Sequence, residues 1–79
     1  MYKYLIIFDE GLKELFIYNI FAKDEDLFRK KYNKLYVNDF IISTESYEKY
    51  IDALDYATEY AKTNNWTYNP IRNHMLKLR

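Results

Sequence analysis

The chain has 79 residues, with twelve Lys or Arg against twelve Asp or Glu and hence zero formal net charge, one His and no Cys. Without cysteine there is no disulfide, zinc–thiolate site or thiol nucleophile; with one Gly and one Pro there is no glycine-rich phosphate loop and no low-complexity linker. Hydrophobic residues make up 49%, which points to a single small globular domain spanning 1–79, one that buries only about 60% of the surface its unfolded chain exposes.

Tyr2 to Phe8, YKYLIIF, combines aromatic and β-branched residues and runs into Asp-Glu-Gly, the pattern of a strand entering a turn. Tyr4, Ile6 and Phe8 face one way, Leu5 and Ile7 the other. Both faces are apolar, so the strand belongs in the middle of a sheet. The apolar run is cut off at Asp9 and Glu10, too soon for a signal peptide. Nothing approaches the roughly 20 apolar residues of a membrane span. No membrane association is expected, and a cysteine-free chain suits a reducing cytoplasm. Asp9 to Lys13 is a turn, with Gly11 as the residue expected at φ > 0. Glu14 to Ala22 returns as an antiparallel strand, with Phe16, Tyr18 and Ile20 on one face and Leu15, Ile17, Asn19 and Phe21 on the other.

From Asp24 to Leu35 the spacing becomes helical, with Leu27, Phe28, Tyr32 and Leu35 as the apolar stripe. Acids open this helix and Arg29, Lys30, Lys31 and Lys34 follow, which complements the helix dipole. Glu25 with Arg29 and Asp26 with Lys30 are favourable pairs one turn apart. Tyr36 to Asp39 reads as a loop or strand entry, and Phe40 to Ser43 as a third strand.

Ser46 to Asn64, SYEKYIDALDYATEYAKTN, is the longest periodic stretch. Tyr47, Tyr50, Ile51, Leu54, Ala57, Thr58 and Ala61 are expected to form its buried stripe, Ser46 to cap its N-terminus, and Asn64 and Asn65 to close it. Asn69-Pro70 looks like a further helix start, with Asn as cap and Pro in the first turn; a terminal strand from His74 is the alternative. The expected fold is α+β, in the order β-β-α-β-α-α, with helices covering a three-stranded sheet of order 2-1-3.

The hairpin residues Tyr4 to Phe8, Gly11, and the helix Ser46 to Ala61 with its YxxALxxAxxxA pattern resemble the HicB-type antitoxin domain. The chain departs from that pattern by inserting the helix Asp24 to Leu35 between second and third strands and by lacking a Pro- and Gly-containing segment before the last strand. No function is carried over from the resemblance.

Catalysis has little to work with. His74 is isolated, Asp9 and Glu10 are turn residues, and Ser43, Thr44 and Ser46 have no evident base, so no enzyme, cofactor or metal site is expected. The more informative feature is on the long helix. Glu48, Asp52, Asp55 and Glu59 follow at spacings of four, three and four, with Tyr56 and Tyr60 beside them. Like charges one turn apart each cost roughly 0.2–0.5 kcal/mol. Such a ridge suits a docking surface for a basic-surfaced protein, with carboxylates giving orientation and tyrosines giving contact area. The expected function is therefore a non-enzymatic protein-binding domain, an inhibitor or adaptor. The heavy use of Lys, Asn, Ile and Tyr reads as an AT-rich coding sequence and suits a phage or mobile-element protein directed at a host machine.

The alternative is a nucleic-acid-binding regulator using Arg29, Lys30, Lys31, Lys34, Arg72 and Arg79, with aromatics such as Trp66 and Tyr68 interleaved in the tail. Homodimerisation through the sheet is a third expectation. The competitor to both binding surfaces is internal: the basic tail could fold over the acidic ridge.

Overall fold

A computed structural model describes the backbone of residues 1–35 and 40–74 and the side chains of 1–31 and 40–74. Within these limits the chain is α+β. Strand β1 (Tyr2–Asp9) and strand β2 (Glu14–Phe21) form the expected hairpin, paired from Tyr2↔Phe21 to Asp9↔Glu14. A 3-10 turn at Ala22–Asp24 leads into helix α1 (Glu25–Leu35). Strand β3 (Phe40–Ile42) and helix α2 (Tyr50–Asn64) follow, then a two-residue strand β4 (Thr67–Tyr68) and a 3-10 turn at Pro70–Arg72.

The sheet has four strands in the order β3-β1-β2-β4. The 2-1-3 arrangement is contained within it, but the expectation of three strands was incomplete. β1 is antiparallel to both β2 and β3, while β4 pairs parallel with β2. Thus β2, β3 and β4 share one direction and β1 opposes them. β2 and β4, as parallel neighbours, need a long crossover, and the chain through α1, β3 and α2 supplies it. Two residues are too short for any periodicity, which is why β4 did not show in the sequence. Hydrogen bonds from the Thr67 N–H to the Lys13 carbonyl (2.9 Å) and from the Asn69 N–H to the Leu15 carbonyl (2.9 Å) fix it.

The hairpin loop differs from expectation in one detail. Gly11 does not take a positive φ; Lys13 does, at 55°. The loop is pinned early by the Asp9 Oδ1, which accepts from the Leu12 N–H at 3.1 Å. The left-handed residue then falls at the last loop position, where a non-glycine costs roughly 1 kcal/mol.

β1 is apolar on both faces because both are covered. Leu5, Ile6 and Ile7 are fully buried. One face packs under α2, where Ile6 and Leu15 meet Ala57 and Ala61, ringed by Phe8, Tyr47, Tyr60, Trp66 and Tyr68. Burying each aliphatic side chain is worth roughly 2 kcal/mol. α1 lies over the opposite face through Phe28, whose ring stacks on Tyr18 at 4.8 Å. Leu27, expected in the stripe of α1, is exposed; the side chains of Tyr32 and Leu35 lie outside the described residues.

α2 begins at Tyr50, not Ser46, and its N-cap is Lys49 without a side-chain cap. The cause lies upstream. After β3 the chain stays beside β1: Tyr4 and Tyr47 exchange both backbone hydrogen bonds, at 2.8 and 2.9 Å, which holds Tyr47 extended. Between them sits a bulge in which the Ser43 hydroxyl accepts from the Ile6 N–H (3.0 Å) and donates to the Glu45 carbonyl (2.8 Å). The buried stripe is correspondingly rotated. Ala53, Ala57 and Ala61, four residues apart, form it, while Ile51 is 53% exposed and Thr58 lies on the surface. At the other end Asn65 takes the left-handed conformation, as expected of Asn after a helix.

The expected C-terminal helix is shorter than anticipated. Asn69 does cap it, its side chain accepting from the Ile71 N–H at 3.2 Å, but only the Pro70–Arg72 turn forms. The chain then rejoins the outer edge of β2. The Asn73 Oδ1 accepts from the Ile17 N–H (2.7 Å), and His74 bridges to β2 through bonds with Ile17 and Asn19. Met75 to Arg79 lie outside the described residues, as does the loop or strand entry expected from Tyr36 to Asp39.

Candidate functional site

The outer face of α2 carries three of the four ridge acids. Asp52, Asp55 and Glu59 are exposed, and none has an ion pair among the described residues, Lys62 included. Glu48 lies before the helix and pairs with Lys3 at 3.6 Å, so the continuous four-residue ridge is reduced to three. Tyr56 is 45% exposed and stands between Asp52, one turn before, and Glu59, one turn after. Tyr60, expected to look outward, is half-buried: its ring meets Phe8 edge-on at 4.8 Å and Trp66 at 5.6 Å. It forms part of a wall and is not a free phenol.

That wall continues. Tyr47, Tyr56, Tyr60 and Trp66 follow one another at ring separations of 6.0, 6.2 and 5.6 Å. Beneath them are Phe8 and its cross-strand partner Ile41, which is 50% exposed. Two adjoining clefts of about 360 Å³ each open here and share Phe8 and Ile41. The first is bounded by the chain from Ile41 to Glu45 with Tyr47 and Tyr56, the second by Glu10, Tyr60 and Trp66. At the far end the Lys13 ammonium lies over the Trp66 ring, 5.2 Å from its centroid. Burial, then the neighbouring Tyr56 phenol and Glu45 carboxylate, push the Tyr47 phenol above its usual pKa of 10.

The contribution of Phe8, Ile41, Tyr47 and Trp66 to this surface was not evident from the sequence. Alternation put Phe8 on the face of Tyr4 and Ile6, but the register Phe8↔Ile41 is what brings Ile41 beside it. Tyr47, read as a helix residue, is placed here by its strand-like bridge to Tyr4.

The basic residues are disposed differently. The Arg29 guanidinium bonds Glu25 (3.1 Å) and the carbonyls of Ser43 (2.8 Å) and Thr44 (3.3 Å), tying α1 to the bulge after β3. The Arg72 Nη1 bonds Asp9 (3.0 Å) and Glu14 (2.9 Å), while its guanidinium covers Phe16 at 4.6 Å and Phe40 at 5.9 Å. Burial pulls Arg72 toward a lower pKa, but the hydrogen bonds to Glu14 and Asp9 outweigh it and raise the value above its usual range. Lys30 and Lys31 are exposed; the Lys34 side chain and Arg79 lie outside the described residues. Arg72 therefore does not cover the acidic ridge. Lys77, the tail's remaining basic residue, lies outside the described residues as well.

At the start of α2, the Tyr50 and Tyr68 hydroxyls lie 3.5 Å apart, and the Asn73 Nδ2 donates to the Tyr68 hydroxyl at 2.7 Å. His74 is stacked on Tyr18 at 4.3 Å. Among the described residues there is no group of three or more His, Cys, Asp or Glu placed to hold a metal ion, and no helix long and apolar enough to cross a membrane. Compared with family models, curated proteins and solved structures, the chain matches none, so its likeness to the HicB-type antitoxin domain rests on the hairpin and helix residues alone.

Proposed function

We propose that the chain is a non-enzymatic protein-binding domain, an inhibitor or adaptor, that docks a basic-surfaced protein on the outer face of α2. The observation that carries this reading is Tyr56, 45% exposed and set among Asp52, Asp55 and Glu59, none of which has an ion pair among the described residues. An exposed aromatic beside carboxylates left to solvent offers contact area and long-range orientation to a cationic partner. Two further facts support the non-enzymatic part. Asp9 and Glu14 are tied to Arg72, and the Ser43 hydroxyl is held between a backbone N–H and a backbone carbonyl. The alternative, a nucleic-acid-binding regulator, draws less support because Arg29 and Arg72, two of its six residues, are committed to internal bonds.

The test is affinity capture from the native host extract with wild-type protein and with Asp55→Lys/Glu59→Lys, each first shown to have the wild-type circular dichroism and melting temperature. Loss of a specific partner from the double variant, with the fold and stability of the bait preserved, is the expected result. Equal recovery of every captured protein removes the ridge as a binding surface.

A further inference from the structure

The reading above names a face; the clefts beside it specify what the face holds. Their floor is aliphatic and aromatic, Ile41 and Phe8, and their wall is the ring series Tyr47, Tyr56, Tyr60 and Trp66. Glu45 bounds one end and Glu10 the other, both exposed and neither in an ion pair among the described residues. Asp52, Asp55 and Glu59 stand above the rim on α2. The surface thus combines an apolar floor with carboxylates on three sides, and charge complementarity calls for a ligand that is cationic and apolar together.

The spacing of the wall narrows the choice further. Neighbouring rings lie 6.0, 6.2 and 5.6 Å apart. Side chains on one side of an extended chain recur about every 6.7 Å, so successive same-side residues of such a chain can each meet a ring. The wall also holds a cation already: the Lys13 ammonium sits 5.2 Å from the Trp66 centroid, the geometry of a cation–π contact.

We infer that the two clefts form one groove for an extended, lysine- or arginine-bearing segment of a partner protein, with aliphatic residues at the alternate positions. Cationic side chains lie against the ring faces and reach Glu45 and Glu10; aliphatic ones settle on Ile41 and Phe8. Lys13 occupies the last ring position in the unbound protein and is the chain's own stand-in for the partner's final cation. The inference rests on α2's face being a protein-binding face, and goes beyond it by assigning the groove, and not the ridge alone, as the seat of the partner.

Trp66 is the only tryptophan and lines the groove, so its fluorescence reports occupancy directly. The probes are three synthetic hexapeptides: alternating Lys–Val, alternating Lys–Ser, and alternating Glu–Val. The expected result is a saturable change in Trp66 emission with Lys–Val, at least tenfold weaker affinity for Lys–Ser, and no response to Glu–Val. Tyr56→Ala and Ile41→Ser, both at half-exposed positions and each first shown to keep the wild-type circular dichroism, weaken Lys–Val at least fivefold. Lys13→Ala leaves its affinity unchanged or tightens it. A response equal for Lys–Val and Lys–Ser, or none with any peptide, overturns the groove assignment. The broader reading fails separately: a partner whose capture survives Asp55→Lys/Glu59→Lys refutes the face, whereas a partner lost with that variant but retained by Tyr56→Ala and Ile41→Ser leaves the face standing and refutes the groove.

Discussion

The two faces of the sheet dispose of their charges in contrasting ways. On the side of α1, two arginines are drawn inward, while Lys30 and Lys31 stay exposed. Arg72 lies between Phe16 and Phe40 and joins Asp9 to Glu14, and Arg29 joins α1 to the chain after β3. On the side of α2 the helix is seated by three alanines, and its acids are left facing solvent. A chain of zero net charge is therefore not electrically uniform. Arg29 and Arg72 are consumed, together with Glu25, Asp9 and Glu14, in holding the fold, while on α2 the exposed Asp52, Asp55 and Glu59 outnumber Lys62 and leave a local negative excess. The lesson is that formal neutrality says little about the field a partner meets.

The contrast can be broken first on the α1 side. Arg72→Ala leaves Asp9, 5% exposed, without its cation and strips two rings of their cover. The expected loss is about 3 kcal/mol in urea denaturation, because an uncompensated buried carboxylate remains. A loss below 1 kcal/mol would mean that the internal pairing is incidental. On the α2 side the corresponding break is Ala57→Leu. Ala57 is fully buried against Ile6 and Leu15, and forcing added methylenes into that seam should cost about 2 kcal/mol. The same measurement on Ile51→Ala should show less than about 0.5 kcal/mol, since that side chain faces water.

Alkaline pH sharpens the comparison at the start of α2. The hydrogen bond to Tyr68, then burial, then the nearby Tyr68 and Tyr4 phenols raise the Tyr50 pKa from 10 to about 12. The folded state thus holds this proton more tightly than the unfolded chain. Its contribution is complete below pH 10 and is lost as pH rises toward 12. Urea midpoints measured across that window should fall less steeply for Tyr50→Phe than for wild type. The smallest effect is expected from Asp55→Lys/Glu59→Lys. Removing like-charge neighbours from an exposed helix face should change stability by only a few tenths of a kcal/mol, in the stabilising direction. A large loss would show that these acids hold the fold and are not available to a partner.

Much of this was legible from residue order. Alternation in YKYLIIF and ELFIYNIF placed β1 at the centre of the sheet with its correct faces, and Asn65 marked the end of α2. The failures share a cause: contacts distant in sequence. Tyr47 belongs to β1's ladder and not to the helix because Tyr4 pairs with it, which shifts both the cap and the buried stripe of α2. Tyr60 turns inward because Phe8 and Trp66 meet it there. Of the candidate site, the acids were readable from spacing alone; the cleft depended on a register that places Ile41 beside Phe8, which no local pattern encodes.

The cover on β2 has a consequence for the life of the chain as a solution of many copies. Both hairpin strands are runs of β-prone residues without proline, the kind of segment that recruits its own likeness when its margin is bare. Along β2 that margin is sealed in pieces, by Thr67 and Tyr68, by the amide of Asn73 and by the backbone of His74. Shortening the chain before residue 66 would strip this seal, and crowded molecules would then find in one another the missing strand and seed fibres.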